Sequence, residues 1–310
     1  MRIQTQQSKT FENKLRKEHE SLAKPAWMKI RPPTTAKYVD IQTLLKEKKL
    51  NTVCAEAHCP NIAECWSTGT ATFMILGDTC TRACRFCMVK SGNPQKKVDP
   101  KEPENLVKAV GIMKLDYVVI TCVTRDDLED GGAQHFKDCI EALKKAYPAL
   151  KIELLISDLD GNKNSLAKIL EAKPDVLGHN LETVERLQGT VRDPRANYKK
   201  SLKVLKESKD INPDIYTKTS LMLGHGETEE EVVQTMKDAR ANNVDIITFG
   251  QYLRPSPYHL QIKEYVSPAK FKKYKEIADS LGFLYCASGP FVRSSYKAGE
   301  NFIKSQNANR

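Results

Sequence analysis

Residues 71–87 of this chain read ATFMILGDTCTRACRFC, an apolar run followed at once by three cysteines. The run at 71–76 is typical of a buried strand. Cys80, Cys84 and Cys87 have the spacing C-x3-C-x2-C. Three thiolates this close together suit a soft metal or an iron–sulfur cluster, and a cubane held by only three of them leaves one iron open to a further ligand. A structural zinc ion completed by a distant fourth ligand is the alternative.

Downstream of this stretch, apolar runs alternate with helical patterns. The runs predict strands at 71–76, 116–121, 151–156, 175–178, 215–221 and 245–250. The segments between them predict helices near 103–113, 133–147, 163–172, 195–208 and 227–242, and a last helix near 268–281 precedes an apolar run at 282–286. This alternation implies parallel βαβ units. Six strands are too few for a closed eight-stranded barrel, so we predict an α/β fold with a partial (β/α)6 barrel; a doubly wound sheet is the alternative.

The composition excludes several classes of protein. The chain has 310 residues, of which 40% are hydrophobic and 28% charged, as in globular proteins. No apolar run approaches the roughly 20 residues of a membrane helix, and the composition is neither collagen-like nor that of a disordered chain. Residues 1–37 hold nine basic and three acidic side chains and so carry most of the net charge of +10. We expect a poorly ordered basic arm there, with a docking role for the charge as the alternative.

Cysteine usage points to metal chemistry. Six of the nine cysteines fall within residues 54–87. No apolar segment of a secretory signal follows Met1. We therefore expect a cytoplasmic location and no disulfide framework. The first group, Cys54, Cys59 and Cys65, has the spacing C-x4-C-x5-C. His58 is a further candidate ligand, and free buried cysteines are the alternative.

The motifs resemble those of a known family. The second triplet, with the aromatic Phe86 before its last cysteine, is similar to that of radical S-adenosylmethionine (SAM) enzymes. Both triplets together with Arg293-Ser-Ser-Tyr296 resemble lipoyl synthases, and the likeness covers about residues 38–300. Similar stretches lie at 123–133, 179–183, 191–193, 223–227 and 251–255, with His225 standing where an apolar residue is expected.

The resemblance implies two [4Fe-4S] clusters. Cys80, Cys84 and Cys87 would bind the cluster that cleaves SAM to methionine and a 5′-deoxyadenosyl radical. The first triplet would bind an auxiliary cluster, with Ser295 as its fourth ligand and Ser294 as the second choice. Of these cluster ligands, the resemblance implies a catalytic role for Cys80, Cys84, Cys87 and Ser295.

The resemblance also implies a SAM pocket. Phe86 would lie beside the adenine, Glu182 would bind the ribose hydroxyls, Arg192 would pair with the carboxylate, and Asn180 would line the same pocket. Gly131 and Gly132 would let backbone carbonyls approach the SAM amino group. The alternatives are helix caps and surface ion pairs for the polar residues and a simple loop ending for the glycines. The acidic loop at 126–130 is expected to be structural, or to contact a basic side chain, rather than to act as a catalytic pair.

The function implied is insertion of sulfur at C6 and C8 of an octanoyl chain on a lysine of a carrier protein. The carrier would be the glycine-cleavage H protein or a dehydrogenase E2 subunit, and a ferredoxin or flavodoxin would donate electrons. We expect a monomer that binds neither nucleic acid nor membrane. The expected division is an arm at 1–37, an N-terminal extension at 38–70, the barrel at 71–286 and a C-terminal extension at 287–310. Two alternatives are another radical SAM sulfur-inserting or methylthio-transferring enzyme and a zinc-stabilised nucleic-acid-binding protein.

Overall fold

The computed structural model describes residues 22–29, 36–47, 50–56, 59, 61–62, 65, 72–295 and 299–303. His58, Tyr296 and most of the expected arm lie outside these residues. No helix in the described ranges is both long enough and apolar enough to cross a bilayer.

One sheet of eight strands organises the described chain. Its order is β1-β2-β5-β6-β7-β8-β9-β10, and every neighbouring pair is parallel except β1 with β2. Two further strands, β3 and β4, pair only with each other. The bounds are β1 Asn51–Thr52, β2 Thr72–Ile75, β3 Thr79–Cys80, β4 Lys90–Ser91, β5 Tyr117–Cys122, β6 Lys151–Leu155, β7 Val176–Gly178, β8 Tyr216–Leu223, β9 Ile246–Gln251 and β10 Tyr285–Ser288.

The strand order distinguishes between the two architectures that the sequence left open. A doubly wound sheet reverses its strand order at a switch point. Here β2 and β5 to β10 follow one another without reversal, and in the described residues the sheet ends at β1 and β10 without closing. The predicted partial barrel of α/β type is therefore confirmed. All six predicted strands are present, and the end of the apolar run at 282–286 begins a seventh parallel strand, β10.

Helices cover the outside of the sheet. In the described ranges they are α1 Ala36–Glu47, α2 Val53–Glu56, α3 Glu102–Met113, α4 Ala133–Ala146, α5 Lys163–Glu171, α6 Gln188–Val191, α7 Tyr198–Ile211, α8 Glu229–Ala241 and α9 Pro268–Ser280. Local capping explains several of their starts. Thr228 and Glu231 form a reciprocal capping box at α8, and Ser267 caps α9 just before Pro268.

The sheet is buried on both faces, as the continuous apolar runs predict. All four residues of β2 are buried, as are all six of β9. At the amino-terminal ends of the strands, Phe302 packs edge-on against Tyr216 with ring centroids 4.8 Å apart. The C-terminal segment therefore covers this end of the barrel, and the opposite end is left for ligands.

Candidate active site

A cavity of about 490 Å³ lies at the carboxyl ends of the strands. Three separate segments of the chain supply sulfur and hydroxyl groups to its wall. Cys59 comes from the first triplet, and Ser294 and Ser295 come from the segment after β10. The second triplet contributes all of its cysteines, Cys80, Cys84 and Cys87. The tertiary fold thus brings together the motifs that the sequence singled out separately.

A buried arginine holds the loop of the second triplet. The guanidinium of Arg82 donates to both carboxylate oxygens of Asp158, at 2.7 and 2.8 Å, in a bidentate pair. It also donates to Asp126, at 2.8 and 3.0 Å. Since Asp158 follows β6, this one side chain ties the cysteine loop to the neighbouring strand ends. The acidic loop therefore contacts basic side chains as expected, because Asp127 pairs in the same way with Arg125.

A second set of contacts joins the cysteine loop to the segment after α6. The N–H of Arg85 donates to the carbonyl of Val191 at 3.0 Å. The N–H of Asp193 donates to Sγ of Cys84 at 3.3 Å, and the N–H of Ala83 donates to the Asp193 carboxylate at 2.8 Å. Hydrogen bonds to a cysteine sulfur stabilise its thiolate, which is the form that binds iron. Sequence reasoning missed Arg82, Asp158 and Asp193 as supports of this loop.

Burial of the cysteines opposes formation of their thiolates. It raises the pKa of Cys87 to about 12 and also raises the pKa of Cys84, which the Asp193 N–H and the charge of Arg192 partly lower. A metal bound by these thiols would therefore have to displace their protons. In the described ranges no three His, Cys, Asp or Glu side chains have the arrangement for a single metal ion. An iron–sulfur cluster, which takes one thiolate at each iron, would not need the close arrangement that a single ion needs.

The first triplet meets the C-terminal segment. Cys54 and Cys65 are buried, and Cys59 is half-buried with its N–H donating to the carbonyl of Cys54 at 3.0 Å. Nδ2 of Asn61 donates to the carbonyl of Phe291 at 2.6 Å across 230 residues of sequence. Burial raises the pKa of the Cys59 thiol, and the N–H of Asn61 and the charge of Arg293 act against that rise.

A close backbone approach positions the two serines. A Cβ on Gly250 of β9 would clash with the carbonyl oxygen of Val292, so only glycine lets this segment lie against the strand. Nη1 of Arg293 donates to that same carbonyl at 2.7 Å. The segment is thereby held against the barrel, and both Ser294 and Ser295 line the cavity.

Four residues expected around SAM lie in the cavity wall rather than on the outer surface: the aromatic Phe86 and the polar Asn180, Glu182 and Arg192. Nδ2 of Asn180 donates to Oε1 of Glu182 at 3.1 Å, and desolvation in the cavity raises the pKa of this carboxyl while Arg192 opposes the rise. Nε of Arg192 is buried without a hydrogen-bond partner in the described structure. A bound carboxylate would satisfy it, so this donor set fits a zwitterionic ligand with a diol.

The two glycines are placed elsewhere. Gly131 and Gly132 lie at the start of α4 and are not among the described residues of the cavity wall. The Asp130 carboxylate accepts from the N–H of Gly132 at 2.9 Å, and a Cβ on Gly132 would clash with Leu76. Their positive φ angles serve a tight turn against the end of β2. The structure therefore supports the loop-ending alternative and gives no support to a contact with the SAM amino group.

The chain is similar in sequence to known proteins. Residues 74–239 match the radical SAM superfamily, and residues 2–59 match the N-terminal domain of lipoyl synthase. The chain is 57% identical to an apicoplast lipoyl synthase of Plasmodium falciparum over 91% of its length and 68% of the relative's. It is 53% identical to a lipoyl synthase of Myxococcus xanthus, covering 92% of this chain and 95% of that one.

The chain spans 56–68% of the length of the four apicoplast relatives that it matches. The crystal structure of methylornithine synthase is similar in fold, with a TM-score of 0.53 at 14% identity over 79% of this chain and 74% of that one.

Proposed function

The chain belongs to the lipoyl synthase family of the radical SAM superfamily, and from that membership we propose that it inserts two sulfur atoms into a protein-bound octanoyl chain. The product is the lipoyl group, with sulfur at C6 and C8. One observation carries the proposal: a single cavity is lined by Cys59, by the second triplet and by the serine pair. A reaction that uses a radical and a sulfur source in sequence needs both beside the same substrate carbon.

Family membership implies a [4Fe-4S] cluster and SAM. We propose that Cys80, Cys84 and Cys87 bind the cluster, that Phe86 lies beside the adenine, and that Glu182 with Asn180 binds the ribose. When bound, the cluster supplies the electron that cleaves SAM, giving a radical able to abstract hydrogen from an unactivated C–H bond. Arg192 provides the bidentate donor for the SAM carboxylate.

A second [4Fe-4S] cluster is proposed as the sulfur donor. Cys54, Cys59 and Cys65 would be its thiolate ligands and Ser295 its fourth ligand, with Ser294 next to it. The contact of Asn61 with Phe291 supports this set, since it joins the first triplet to the segment that carries the serines. A hydroxyl oxygen fits soft iron less well than sulfur does, so this ligand is suited to leaving when its iron is released.

The rest of the cavity suits an alkyl chain. Met222, Leu221, Leu155 and Val292 contribute apolar wall. Such a wall keeps water from a reactive radical and holds the substrate carbon in place. The carrier of the octanoyl group is a lipoyl-carrier protein, as the family implies.

Further features of the biology are proposals from the family and the charge pattern. We propose the glycine-cleavage H protein or a dehydrogenase E2 subunit as carrier, a ferredoxin or flavodoxin as electron donor, a cytoplasmic location and a monomeric protein. Residues 1–37 carry a net positive charge, which would attract an acidic carrier domain.

An anaerobic assay tests the function. The protein is reconstituted with iron and sulfide and supplied with SAM, a strong reductant and an octanoyl-lysyl peptide. We expect a peptide that has gained two sulfurs and lost two hydrogens, with two molecules of 5′-deoxyadenosine formed for each peptide. A peptide that gains a methylthio group would support the rival class instead. 5′-Deoxyadenosine without any sulfurated peptide would contradict the proposed substrate.

A further inference from the structure

One end of the Arg192 side chain is held by protein groups. Its Nη1 donates to Oγ of Ser201 at 2.9 Å and to Oε1 of Gln188 at 3.1 Å. Its Nε is buried with no partner in the described structure, and the side chain lines the cavity. An unpaired buried donor on a charged group is costly, so the arrangement favours a ligand that brings an acceptor. The two held contacts therefore determine where that acceptor must lie.

The direction of the Ser201 hydroxyl follows from its other neighbour. Nδ1 of His179 lies 2.9 Å from the carbonyl of Ile156, which can only accept, so Nδ1 carries the proton. Burial lowers the pKa of His179 to about 4, so the ring is neutral and its Nε2 accepts. Nε2 lies 2.9 Å from Oγ of Ser201, and the hydroxyl therefore donates to it. The Ser201 lone pairs then face Nη1 of Arg192.

Gln188 is oriented by two carbonyls. Its Nε2 donates to the carbonyls of Leu181 and Thr183, at 3.0 and 2.7 Å. These two donations leave Oε1 as the atom that faces Arg192. Since Leu181 and Thr183 flank Glu182 in the chain, Gln188 links the guanidinium to the segment that carries Glu182.

We infer that Ser201 and Gln188 are positioning residues for SAM, which hold the guanidinium of Arg192 beside Glu182 so that it receives the SAM carboxylate. The inference rests on the proposed function only in taking SAM as the ligand. Neither residue needs to touch SAM, because each acts through Arg192.

The test compares two ligands on one variant. Ser201→Ala is made in the full chain with its clusters reconstituted, and equilibrium binding is measured for SAM and for SAM whose carboxylate is replaced by hydrogen. We expect SAM to bind about tenfold more weakly, because one charge-assisted hydrogen bond to the guanidinium is lost. The decarboxylated ligand should change by less than about twofold, since it does not use Arg192.

Ser208→Ala is the matched control. Ser208 lies on the same helix, α7, and is buried to the same degree as Ser201, but its hydroxyl donates to the carbonyl of Val204 at 2.8 Å. Binding of both ligands should be unchanged in this variant. If Ser201→Ala does not fold, Ser201→Cys, whose thiol is a weak acceptor, provides the same comparison and should show the same selective loss.

Two results would overturn the inference. An equal loss for both ligands would mean that Ser201 acts only on the fold of the pocket, and no loss for SAM would mean that Arg192 needs no support. A wild-type protein that binds SAM but never sulfurates the octanoyl peptide would remove the proposed function and leave this inference standing.

Discussion

The two cysteine triplets are held in different ways. The second is tied to the barrel itself, through the pairing of Arg82 with Asp158 after β6 and the donation from the Asp193 N–H to Cys84. The first is joined to the C-terminal segment, through Asn61 and the carbonyl of Phe291. The barrel itself therefore holds the second triplet, whereas the first triplet depends on a contact between residues 61 and 291, which are far apart in sequence. Under the proposed function, the lasting SAM cluster would belong to the barrel and the sulfur-donating cluster to this second junction.

The sharpest way to separate the two sites is to remove one cysteine from each. Cys84→Ala should abolish both SAM cleavage and sulfur insertion, because its cluster delivers the electron. Cys59→Ala should abolish sulfur insertion and leave SAM cleavage measurable. Mass spectrometry of 5′-deoxyadenosine and of the peptide checks both. Cys139→Ala, at a fully buried core position outside the triplets, is the control and should retain both activities. Lipoyl product from Cys59→Ala would break the comparison.

The barrel-built site should fail when its buried ion pair is broken. Asp158→Ala leaves the Arg82 charge buried with only Asp126 as an acidic partner. We expect a loss of about 3 kcal/mol in the free energy of unfolding, measured by urea denaturation of the iron-free protein. Asp126→Ala removes the more exposed partner and should cost clearly less. Equal losses in the two variants would show that burial of the pair does not set its importance.

The junction of residues 61 and 291 should be weakened by the loss of a single hydrogen bond. Asn61→Leu removes the donor to the Phe291 carbonyl and leaves that acceptor unpaired. We expect the free energy that holds the two segments together to fall by about 2 kcal/mol. The measured result should be a lower yield of sulfurated peptide per molecule of 5′-deoxyadenosine, with SAM cleavage kept. A matching fall in SAM cleavage would mean that the two sites are not separable in this way.

Acid should lower the stability of the barrel through His225. Burial lowers the pKa of His225 from 6.5 to about 4, and its ring stacks on Tyr252 with centroids 4.2 Å apart. The unfolded chain takes up the proton first, so stability falls as pH decreases from about 6.5 towards 4. At about pH 5.5 this difference in pKa lowers the free energy of unfolding by roughly 1 kcal/mol relative to neutral pH. His225→Leu should therefore lose less stability than the wild type between about pH 7 and pH 5.5 in urea denaturation. Equal losses of stability in the two proteins would contradict a lowered pKa of His225.

Much of the fold was predictable because its signals are local. The six apolar runs predicted strands that are all present, since strands covered on both faces read as continuous apolar segments. The two-residue strands β1, β3 and β4 could not be predicted, because two residues have no measurable period. The seventh parallel strand, β10, was visible only as an apolar run until its pairing with β9 was known.

The candidate site was predictable in its motifs and only partly in its supports. The cysteine spacings and the Arg-Ser-Ser-Tyr stretch stand out in the sequence alone. Gly131 and Gly132 show the limit, because a glycine pair serves a tight turn as well as a ligand contact. Their positive φ angles and the crowding by Leu76 place them in the turn at the start of α4.

By itself the sequence determined the chemistry of this protein: which thiols cluster, in what spacing, and the strand–helix alternation that carries them. Only the tertiary structure decided what supports that chemistry. Arg82 meets Asp158 across 76 residues and Asn61 meets Phe291 across 230. Such pairs have no local signature, because sequence spacing constrains neighbours on one element, whereas the order of strands in the sheet determines which distant loops meet at their ends.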